Sequence, residues 1–491
     1  MNAPGSLPPV PSAHDDDHLH EECAVFGIWN ARNAAALTTL GLHALQHRGQ
    51  EAAGIVSCDD NSEFYSHRGL GLVSDVFSDP RVMATLKGNR AIGHNRYATT
   101  GATLLRNVQP LFAEFAFGGL AVAHNGNLTN SETLRKELIL RGCLFQSTMD
   151  TEVFVHLIAT SLYATVEDRL IDALKRVTGA YSLVVLSGDA LIGARDPMGV
   201  RPLVLGRLTG TDGDGDSWVL ASETCGLDII GAEFVRDIEP GELVIIDNDG
   251  VRSLRPFGQT KPHFCIFEYI YFARPDSVLE GLPVYAVRKQ IGQELARESG
   301  VEADIVVPVP DSGVPSAMGY AEASGIPFEL GIIRNHYVGR TFIEPTDQIR
   351  NLGVKMKHST NRPALNGKRV ILVDDSIVRG TTSRKIVDMV RAAGAKEVHM
   401  RISSPPTQHS CFYGIDTPER SQLLAAQHDL KKMAELIGVD SLAFISQDGL
   451  YRAMGYESRE SCRDRYCDAC FTGDYPIPLI DHDKEFGTGT A

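Results

Sequence analysis

One stretch in the C-terminal half constrains the fold of this chain more than any other. Residues 370–373 are all apolar and predict a short buried strand, which the adjacent carboxylates of Asp374 and Asp375 follow directly. A loop then leads into a predicted helix, 383–393, that Gly394 ends. This order is typical of an open α/β sheet, in which ligands bind at the carboxyl ends of the strands.

The loop between the acid pair and the helix has the composition of a phosphate site. Free N–H groups at a helix start bind phosphate, and neighbouring carboxylates suit sugar hydroxyls or a divalent metal. An isolated acid pair would instead indicate a solvated strand end, but the complete order favours a ligand site. It resembles the phosphoribosyl-pyrophosphate (PRPP) loop of the type I phosphoribosyltransferases. The resemblance implies that PRPP contacts Asp374, Asp375, Ser376, Ile377, Val378, Arg379, Gly380, Thr381 and Thr382.

Length, charge and cysteine count exclude several classes of function. The 491 residues are enough for two large domains. The formal net charge of -15 leaves no basic surplus to neutralise phosphates, so we expect no nucleic-acid partner. We also expect no membrane association, because neither a long apolar run nor a secretory signal is present. The nine cysteines are an odd number, which indicates a reducing cytoplasm.

Four separated motifs in the N-terminal half indicate a second chemistry. Cys23 begins a strand, Arg96 lies in a predicted polar loop, Asn125 and Gly126 form a predicted turn, and Asp150 is the predicted N-cap of an amphipathic helix. A lone cysteine at a strand start is usually a buried structural residue. The four motifs together, however, resemble the class II glutamine amidotransferases, a branch of the N-terminal nucleophile hydrolases.

That resemblance implies an αββα sandwich over residues 23–255 and a role for each motif. Cys23 would be the nucleophile and its own α-amine the base, so residues 1–22 would be a propeptide that is removed. Asn125 and the Gly126 N–H would form the oxyanion hole. The glutamine α-carboxylate would bind Arg96, and its α-ammonium would bind Asp150.

A repeated strand–helix pattern follows the predicted linker, 256–262. It predicts a mainly parallel sheet in a domain spanning 263–475, with 476–491 as a C-terminal tail. A tight turn matches the pyrophosphate loop of the phosphoribosyltransferases and comprises Asp311, Ser312 and Gly313. A polar, basic segment beyond it is interpreted as a lid that closes over the polyphosphate, with Arg334, Tyr337 and Arg340 as its contacts.

A glutaminase followed by a PRPP domain resembles the amidophosphoribosyltransferase family, from Cys23 to about residue 475. The resemblance implies that PRPP, glutamine and water give 5-phosphoribosylamine, glutamate and pyrophosphate, the first committed step of purine biosynthesis. It further implies Mg²⁺ held by Ser312, Asp374 and Asp375. A homotetramer inhibited by purine nucleotides is also implied.

Two other functions fit parts of this pattern. A glutamine amidotransferase that feeds another acceptor, such as a sugar phosphate, would have no use for the PRPP loop. A PRPP-sensing regulator without turnover would need neither Cys23 nor Asn125 nor Asp150. Joint release of glutamate and pyrophosphate, when both substrates are supplied, distinguishes the enzyme from both alternatives.

The cysteines of the C-terminal half allow two metal-binding sets. Local spacing selects Cys462, Cys467 and Cys470, a C-x4-C-x2-C run like that of plant-type ferredoxins. The family resemblance instead implies Cys265, Cys411, Cys467 and Cys470 as ligands of a structural 4Fe–4S cluster, with Cys462 a bystander. Four thiolates gathered from distant positions would also suit zinc. Our prediction is the 4Fe–4S cluster on the second set.

Overall fold

The computed structural model describes residues 20–21, 23–97, 104–210, 215–335 and 358–482. These residues form an antiparallel two-sheet unit followed by a unit built on a parallel sheet. The predicted fold class is confirmed. No helix in these ranges is both long and apolar enough to span a membrane.

The N-terminal unit is a sandwich of two antiparallel sheets. The larger sheet has seven strands, in the spatial order Glu233–Asp237, Val204–Leu208, Ser217–Ala221, Cys23–Trp29, Arg90–Arg96, Ala52–Cys58 and Phe64–Leu70. The smaller sheet has six, in the order Gly250–Leu254, Leu243–Asp247, Leu191–Arg195, Gly179–Ser187, Gly118–Leu128 and Leu111–Phe115. Apolar side chains of the two inner faces, among them Val25 and Val184, form the core between the sheets.

Helices cover both outer faces and complete the four layers. The larger sheet is covered by Ala34–Ala44, Val73–Val76, Pro80–Thr85 and Cys225–Asp228, and the smaller one by Ser131–Leu140, Thr151–Thr160 and Val166–Leu174. Short 3₁₀ turns lie at Gln46–Arg48 and Leu105–Asn107. Because successive side chains of a strand point to opposite faces, Phe26 packs on the helices while Val25 packs on the other sheet.

Two local predictions in this unit are wrong. Arg96 lies in the strand Arg90–Arg96 rather than in a loop, and Asn125 and Gly126 lie inside the strand Gly118–Leu128 rather than in a turn. Both strands are paired on both sides. Residues of this kind are usually found in loops, and here strand pairing overrides that preference. Arg96 is paired on both sides, and Asn125 and Gly126 are paired with the strand Gly179–Ser187.

The C-terminal unit is organised around a parallel sheet of four strands, in the order Ile305–Pro308, Arg369–Asp374, Glu397–Ile402 and Ser441–Phe444. Helices Val284–Glu298 and Val314–Ser324 cover one face, and Thr381–Ala392 and Leu430–Ile437 cover the other. The third of these helices begins two residues before the predicted start at 383. The carboxyl end of the strand Arg369–Asp374 carries the acid pair and the phosphate loop, and the parallel neighbouring strand Ile305–Pro308 leads to the pyrophosphate turn at the same edge.

Shorter elements connect these parts. Small two-stranded pairings join His20–Glu21 to Ile415–Asp416, Phe264–Cys265 to Tyr466–Cys467, Val278–Leu279 to Leu282–Pro283, and Ile332–Arg334 to His358–Thr360. The remaining helical turns are Glu268–Phe272, which is a π-helix, Arg362–Leu365, Arg420–Gln422, Leu424–Gln427, Gln447–Ala453, Glu460–Cys462, Ala469–Thr472 and Ile480–His482.

The two units share one hydrophobic core. Ala180 and Val200 of the sandwich belong to the same buried cluster as Phe264, Tyr269 and Tyr413 of the second unit. The predicted linker, 256–262, lies between the last sandwich strand and the Phe264–Cys265 pairing. A continuous core of this kind fixes one unit against the other, whereas interfaces that allow domain motion are smaller and more polar.

Buried charges cross the same boundary. Arg48 and Arg201 of the sandwich both pair with Glu268 of the second unit, at 2.7 and 3.2 Å, and all three side chains are fully buried. Arg48 also pairs with Glu223. Burial raises the pKa of Glu223, but Arg48 and His47 outweigh it and hold the pKa below its usual value. Removing one partner of such a network would leave an uncompensated buried charge.

Candidate active sites

Cys23 opens onto a cavity of about 310 Å³ at the boundary of the two units. Gly126 and Asp150 line the sandwich side of this cavity, and Cys23 itself is only 5% exposed. The opposite wall comes from the second unit and the tail: Cys411, Phe412, Gly414, Ile415, Asp416, Thr417, Asp481 and His482. The pocket is therefore complete only when both units are in place.

Arg96 lies directly across the sheet from Cys23 in the strand register. Its side chain is 1% exposed, and among the described residues none of its three guanidinium nitrogens has a hydrogen-bond partner. A buried, unpaired charge lowers the stability of the fold by several kcal/mol, because each unsatisfied polar group costs roughly 2 kcal/mol or more. This arrangement suits a ligand that brings its own carboxylate.

Asn125 and Gly126 follow one another on the strand that faces the same cavity. Asn125 is fully buried, and Gly126 has a φ of +140°. A Cβ at Gly126 would lie 2.1 Å from the Ala180 carbonyl oxygen, so only glycine fits there. The backbone N–H and the amide side chain can thus present adjacent donors to a substrate oxygen.

Asp150 occupies the N-cap position of the helix Thr151–Thr160, but its side chain does not cap that helix. One carboxylate oxygen instead accepts a hydrogen bond from the Leu128 N–H at 3.0 Å, and the other lies 3.6 Å from His124 Nδ1. Burial raises the pKa of Asp150, but His124 and the backbone donors outweigh it and lower the pKa below its usual value. A carboxylate that stays charged at this place can hold an ammonium group.

The acid pair of the second unit lies at the end of the strand Arg369–Asp374. Both carboxyl side chains are buried, with about 1% exposure each. Asp375 accepts hydrogen bonds from the Ser312 hydroxyl and, at 2.7 Å, from the Ser376 hydroxyl, while its N–H donates to Asp374 at 2.9 Å. The predicted pyrophosphate turn and the acid pair are therefore in direct contact.

Gly313 permits the close approach of that turn to the central strand. A Cβ at Gly313 would lie 2.5 Å from the Val373 carbonyl oxygen, which precedes Asp374 directly. Any side chain there would separate Ser312 from Asp375. The hydrogen bond between Ser312 and Asp375 thus depends on Gly313, the residue after Ser312.

The phosphate loop is tightly held. Ser376, Ile377, Val378 and Thr382 are buried, and the Val378 carbonyl accepts from the Leu424 N–H at 2.8 Å. Arg379 donates to Gln422, and Gly380 takes a left-handed conformation, φ +80°, immediately before Thr381 begins the helix. The first N–H groups of this helix have no intrahelical partners and are suited to an anion.

The root of the predicted lid lies beside the pyrophosphate turn. Arg334 forms an ion pair with Asp311, and both side chains are about half exposed. An exposed ion pair contributes only about 0–1 kcal/mol, so a polyphosphate could replace the Asp311 carboxylate at low cost. Tyr337 and Arg340, the other predicted lid residues, lie outside the described residues.

Four of the cysteines converge between the two units. Cys265 and Cys467 are paired in the register of two short parallel strands, and the Cys470 carbonyl accepts from the N–H groups of Gln408 and His409, which lie just before Cys411. The pKa of the Cys265 thiol is raised to about 12, mainly by burial, and the nearby Cys411 contributes to the rise.

The same grouping is seen around the last two cysteines. Burial raises the pKa of Cys467 and Cys470 well above the usual value, and the other cysteines of the group add to the shift. Cys462 is also buried, but it contacts Tyr456 and Arg465 instead of these thiols. The four cysteines that converge are the four predicted cluster ligands, and Cys462 is not among them.

Within the described ranges, no group of three or more ligand side chains is close enough to hold a single metal ion. Magnesium commonly uses one or two protein carboxylates and completes its shell with substrate phosphates and water, so the chemistry of the acid pair suits that ion.

The second-unit wall of the Cys23 pocket was not predicted from the sequence. Asn127 donates to the Phe412 carbonyl at 2.9 Å, and the tail reaches back so that Thr129 donates to the Pro478 carbonyl at 2.7 Å. The Asp481 carboxylate accepts from the Glu132 N–H at the start of a sandwich helix. These partners are hundreds of residues apart in the sequence, so no local pattern predicts their contacts.

Comparison with known proteins finds relatives of both units. The family model of a glutamine amidotransferase domain matches residues 94–228, and that of a phosphoribosyl transferase domain matches residues 276–403. An amidophosphoribosyltransferase of Rhizobium etli is 58% identical, over 99% of this chain and 97% of its own length. A chloroplastic amidophosphoribosyltransferase of Arabidopsis thaliana is 51% identical, over 94% of this chain and 80% of its own length.

Two solved structures share the complete architecture. One, of the allosteric regulatory enzyme of purine biosynthesis, superposes with a TM-score of 0.88 at 48% identity, over 93% of this chain and 97% of its own. The other, of glutamine PRPP amidotransferase from Bacillus subtilis complexed with ADP and GMP, has a TM-score of 0.86 at 48% identity, over 93% of this chain and 98% of its own.

Proposed function

This chain belongs to the amidophosphoribosyltransferase family, and from that membership we propose how its two sites divide the reaction. The family makes 5-phosphoribosylamine, glutamate and pyrophosphate from PRPP, glutamine and water, at the start of purine biosynthesis. The Cys23 pocket releases ammonia from glutamine. The site around Asp374 and Asp375 then adds this ammonia to PRPP.

The observation that carries this assignment is the unpaired, buried guanidinium of Arg96 opposite Cys23. Arg96 binds the glutamine α-carboxylate with its planar fork, and Asp150 holds the α-ammonium. The side-chain amide of glutamine then lies against Cys23, whose thiolate attacks it. The Gly126 N–H and Asn125 stabilise the oxyanion that forms, where one donor is typically worth about a hundredfold in rate.

The base in this half is the α-amine of Cys23 itself, once residues 1–22 have been removed. A free α-amine has a pKa of about 7.7–8.0, close to the working pH, and can take and return a proton. In the structure, the segment before Cys23 pairs through His20–Glu21 with Ile415–Asp416, a wall of the pocket. Removal of the propeptide would clear this wall for glutamine.

Arg96→Lys should raise the KM for glutamine about tenfold or more, because a lysine keeps the charge but loses the bidentate fork, at about 1.4 kcal/mol per tenfold. Steady-state glutaminase assays measure the effect. Arg90→Lys is the matched control, since Arg90 is buried on the same strand but donates to the Gly188 and Asp59 carbonyls. Equal KM values for the two variants would contradict the assignment of Arg96 as the residue that binds the glutamine α-carboxylate.

In the second half, ammonia displaces pyrophosphate from the ribose C1. Asp374 and Asp375 face the ribose hydroxyls, Asp311, Ser312 and Gly313 hold the pyrophosphate, and the loop from 376 to 382 holds the 5-phosphate. Mg²⁺, with Ser312 and the acid pair as protein ligands, would supply charge stabilisation to the leaving pyrophosphate. Closure of the lid excludes water, which would protonate ammonia and remove its nucleophilic electron pair.

Asp374→Asn should lower kcat/KM for PRPP about 10- to 100-fold, because hydrogen bonds to a charged group contribute roughly 1.5–3 kcal/mol. Basal glutaminase should persist, since the sandwich is unchanged. Asp388→Asn, on the exposed face of the helix Thr381–Ala392, is the control. If Asp374→Asn retains full synthesis with PRPP, the acid pair has only a structural role.

We assign a 4Fe–4S cluster to Cys265, Cys411, Cys467 and Cys470. The convergence of these four thiols, three of them buried and Cys411 partly buried, from three distant parts of the chain, supports the assignment. The reaction transfers no electrons, so the cluster's role is structural. It joins the segment that carries Cys467 and Cys470 to the body of the second unit.

The remaining proposals rest on the family. Binding of purine nucleotides as inhibitors is supported by the Bacillus subtilis relative, whose structure contains ADP and GMP. The homotetramer is proposed on family resemblance. A cytoplasmic location is proposed because none of the nine cysteines, all of which lie in the described ranges, forms a disulfide, as is usual in a reducing compartment.

A further inference from the structure

Two glycines from different units contact each other in the lining of the Cys23 pocket. A Cβ on Gly414 of the second unit would lie 2.8 Å from Cα and 3.0 Å from the carbonyl carbon of Gly126. Gly414 also has a φ of +107°, a conformation that other residues rarely adopt. The backbone of the second unit therefore rests directly on the residue whose N–H was assigned to the oxyanion hole.

Two hydrogen bonds hold the segment 412–414 in this position. Asn127, the residue after Gly126, donates from Nδ2 to the Phe412 carbonyl at 2.9 Å. Arg201 donates from Nε to the Tyr413 carbonyl at 3.0 Å. Both donors belong to the sandwich, and both acceptors are main-chain atoms of the second unit.

Arg201 also ties this segment to the interface. Its other donors include Nη1, which pairs with Glu268 at 3.2 Å, and Glu268 lies on the π-helix of the second unit. The segment is thus fixed from the sandwich side by side chains and from its own side by the shared core. An assembly held from both sides can keep a backbone position constant to a fraction of an ångström.

We propose that Gly414, together with Asn127, is a positioning element of the glutaminase site: it sets the location of the Gly126 N–H from the second unit. The proposal deepens the proposed function and rests on the oxyanion role of Gly126. Stabilisation of an oxyanion requires a donor at about 2.7–3.1 Å from the atom that becomes charged. A shift of Gly126 would therefore slow the chemical step more than it would weaken binding of glutamine.

The test is Gly414→Ala in the full-length protein. The added methyl group should push Gly126 away and lower kcat for glutamine hydrolysis about 10- to 100-fold, since loss of one oxyanion donor costs about a hundredfold or more. The KM for glutamine should change little, because Arg96 and Asp150 are not moved. Synthesis from external ammonium should be retained.

Gly455→Ala is the matched control. Gly455 has a similar φ of +90° and lies in the same unit, but a Cβ there would meet nothing within 4 Å. It carries the same backbone strain without the contact, and both activities should remain at the wild-type level. Equal kcat values for Gly414→Ala and Gly455→Ala would overturn the proposal.

Asn127→Ala provides a second test that adds no bulk. It removes the donor to Phe412 and should lower kcat for glutamine hydrolysis with the same small change in KM. It decides the question if Gly414→Ala does not fold, and an unchanged kcat would then overturn the proposal. Cys23→Ala, measured alongside, distinguishes failure of the proposed function from failure of the positioning role. If Cys23→Ala keeps glutaminase activity, the proposed function fails. If Cys23→Ala is inactive while Gly414→Ala remains fully active, only the positioning role is refuted.

Discussion

Cys23→Ala should abolish glutamine-dependent synthesis of 5-phosphoribosylamine while synthesis from a high concentration of ammonium continues. The substitution removes the only thiol that lies opposite Arg96 in the sheet register and also lines the pocket. Loss of a catalytic nucleophile typically costs on the order of 10⁶-fold in kcat. The acid pair and the phosphate loop belong to the other unit and are not altered.

Both activities are measured on the same preparation, as product formed from PRPP with glutamine or with ammonium. Cys58→Ala is the control, because Cys58 is a buried thiol of the same sheet whose pKa burial raises to about 11. It should retain both activities. Mass analysis of the active wild-type enzyme should find Cys23 at the N-terminus. Parallel loss of both activities in Cys23→Ala, or active enzyme that still begins before Cys23, would contradict the proposed division of labour.

Cys411→Ser should lose the iron–sulfur cluster, whereas Cys462→Ser should keep it. Cys411 belongs to the group of four converging thiols, and Cys462 lies apart from them beside Tyr456 and Arg465. A cluster with all four thiolates holds about four irons per chain, and removal of one ligand exposes the rest to solvent and oxidation. The two substitutions are chemically identical, so the position of the sulfur alone distinguishes them.

Iron content and absorbance of anaerobically purified protein measure this effect, and thermal unfolding measures its structural consequence. Cys411→Ser should unfold at a lower temperature, because the proposed cluster would add a link between Cys467 and Cys470 and the rest of the unit that the Phe264–Cys265 pairing and core packing do not replace. Cys462→Ser should unfold like the wild type. Zinc in place of iron, or iron lost from Cys462→Ser and kept in Cys411→Ser, would disprove the ligand assignment.

The elements that the sequence alone determined are those whose pattern is local. The strand 369–374, its acid pair and the helix that begins at Thr381 follow from an apolar run, small residues and a helical period, all within one short stretch. The mainly parallel sheet of the second unit could be predicted in the same way from the repeated strand–helix pattern, whereas the four-layer sandwich was implied by the family resemblance. The contact between Ser312 and Asp375 also followed, because both lie at the same end of neighbouring parallel strands.

Only the tertiary structure decided what pairs of distant residues do. Arg96 and Gly126 appeared to be loop residues, since a buried cation and a positive φ are rare in strands. Pairing with Cys23 and Ala52 nevertheless holds Arg96 in a strand, and pairing with Tyr181 holds Gly126 in another. Asp150 appeared to be a helix cap, and the nearby His124 turns its carboxylate to the pocket instead. Such outcomes depend on contacts between segments, which no local pattern contains.

The wall that Gly414 contributes to the Cys23 pocket is the clearest case of tertiary control. Gly126 and Gly414 are separated by most of the second unit in sequence, and each looks like an ordinary turn glycine by itself. Their contact exists because a shared core and the buried Arg201–Glu268 pair fix the two units against each other. The residue types of both sites can thus be read from the chain, whereas the geometry that joins the two sites arises only when the units pack.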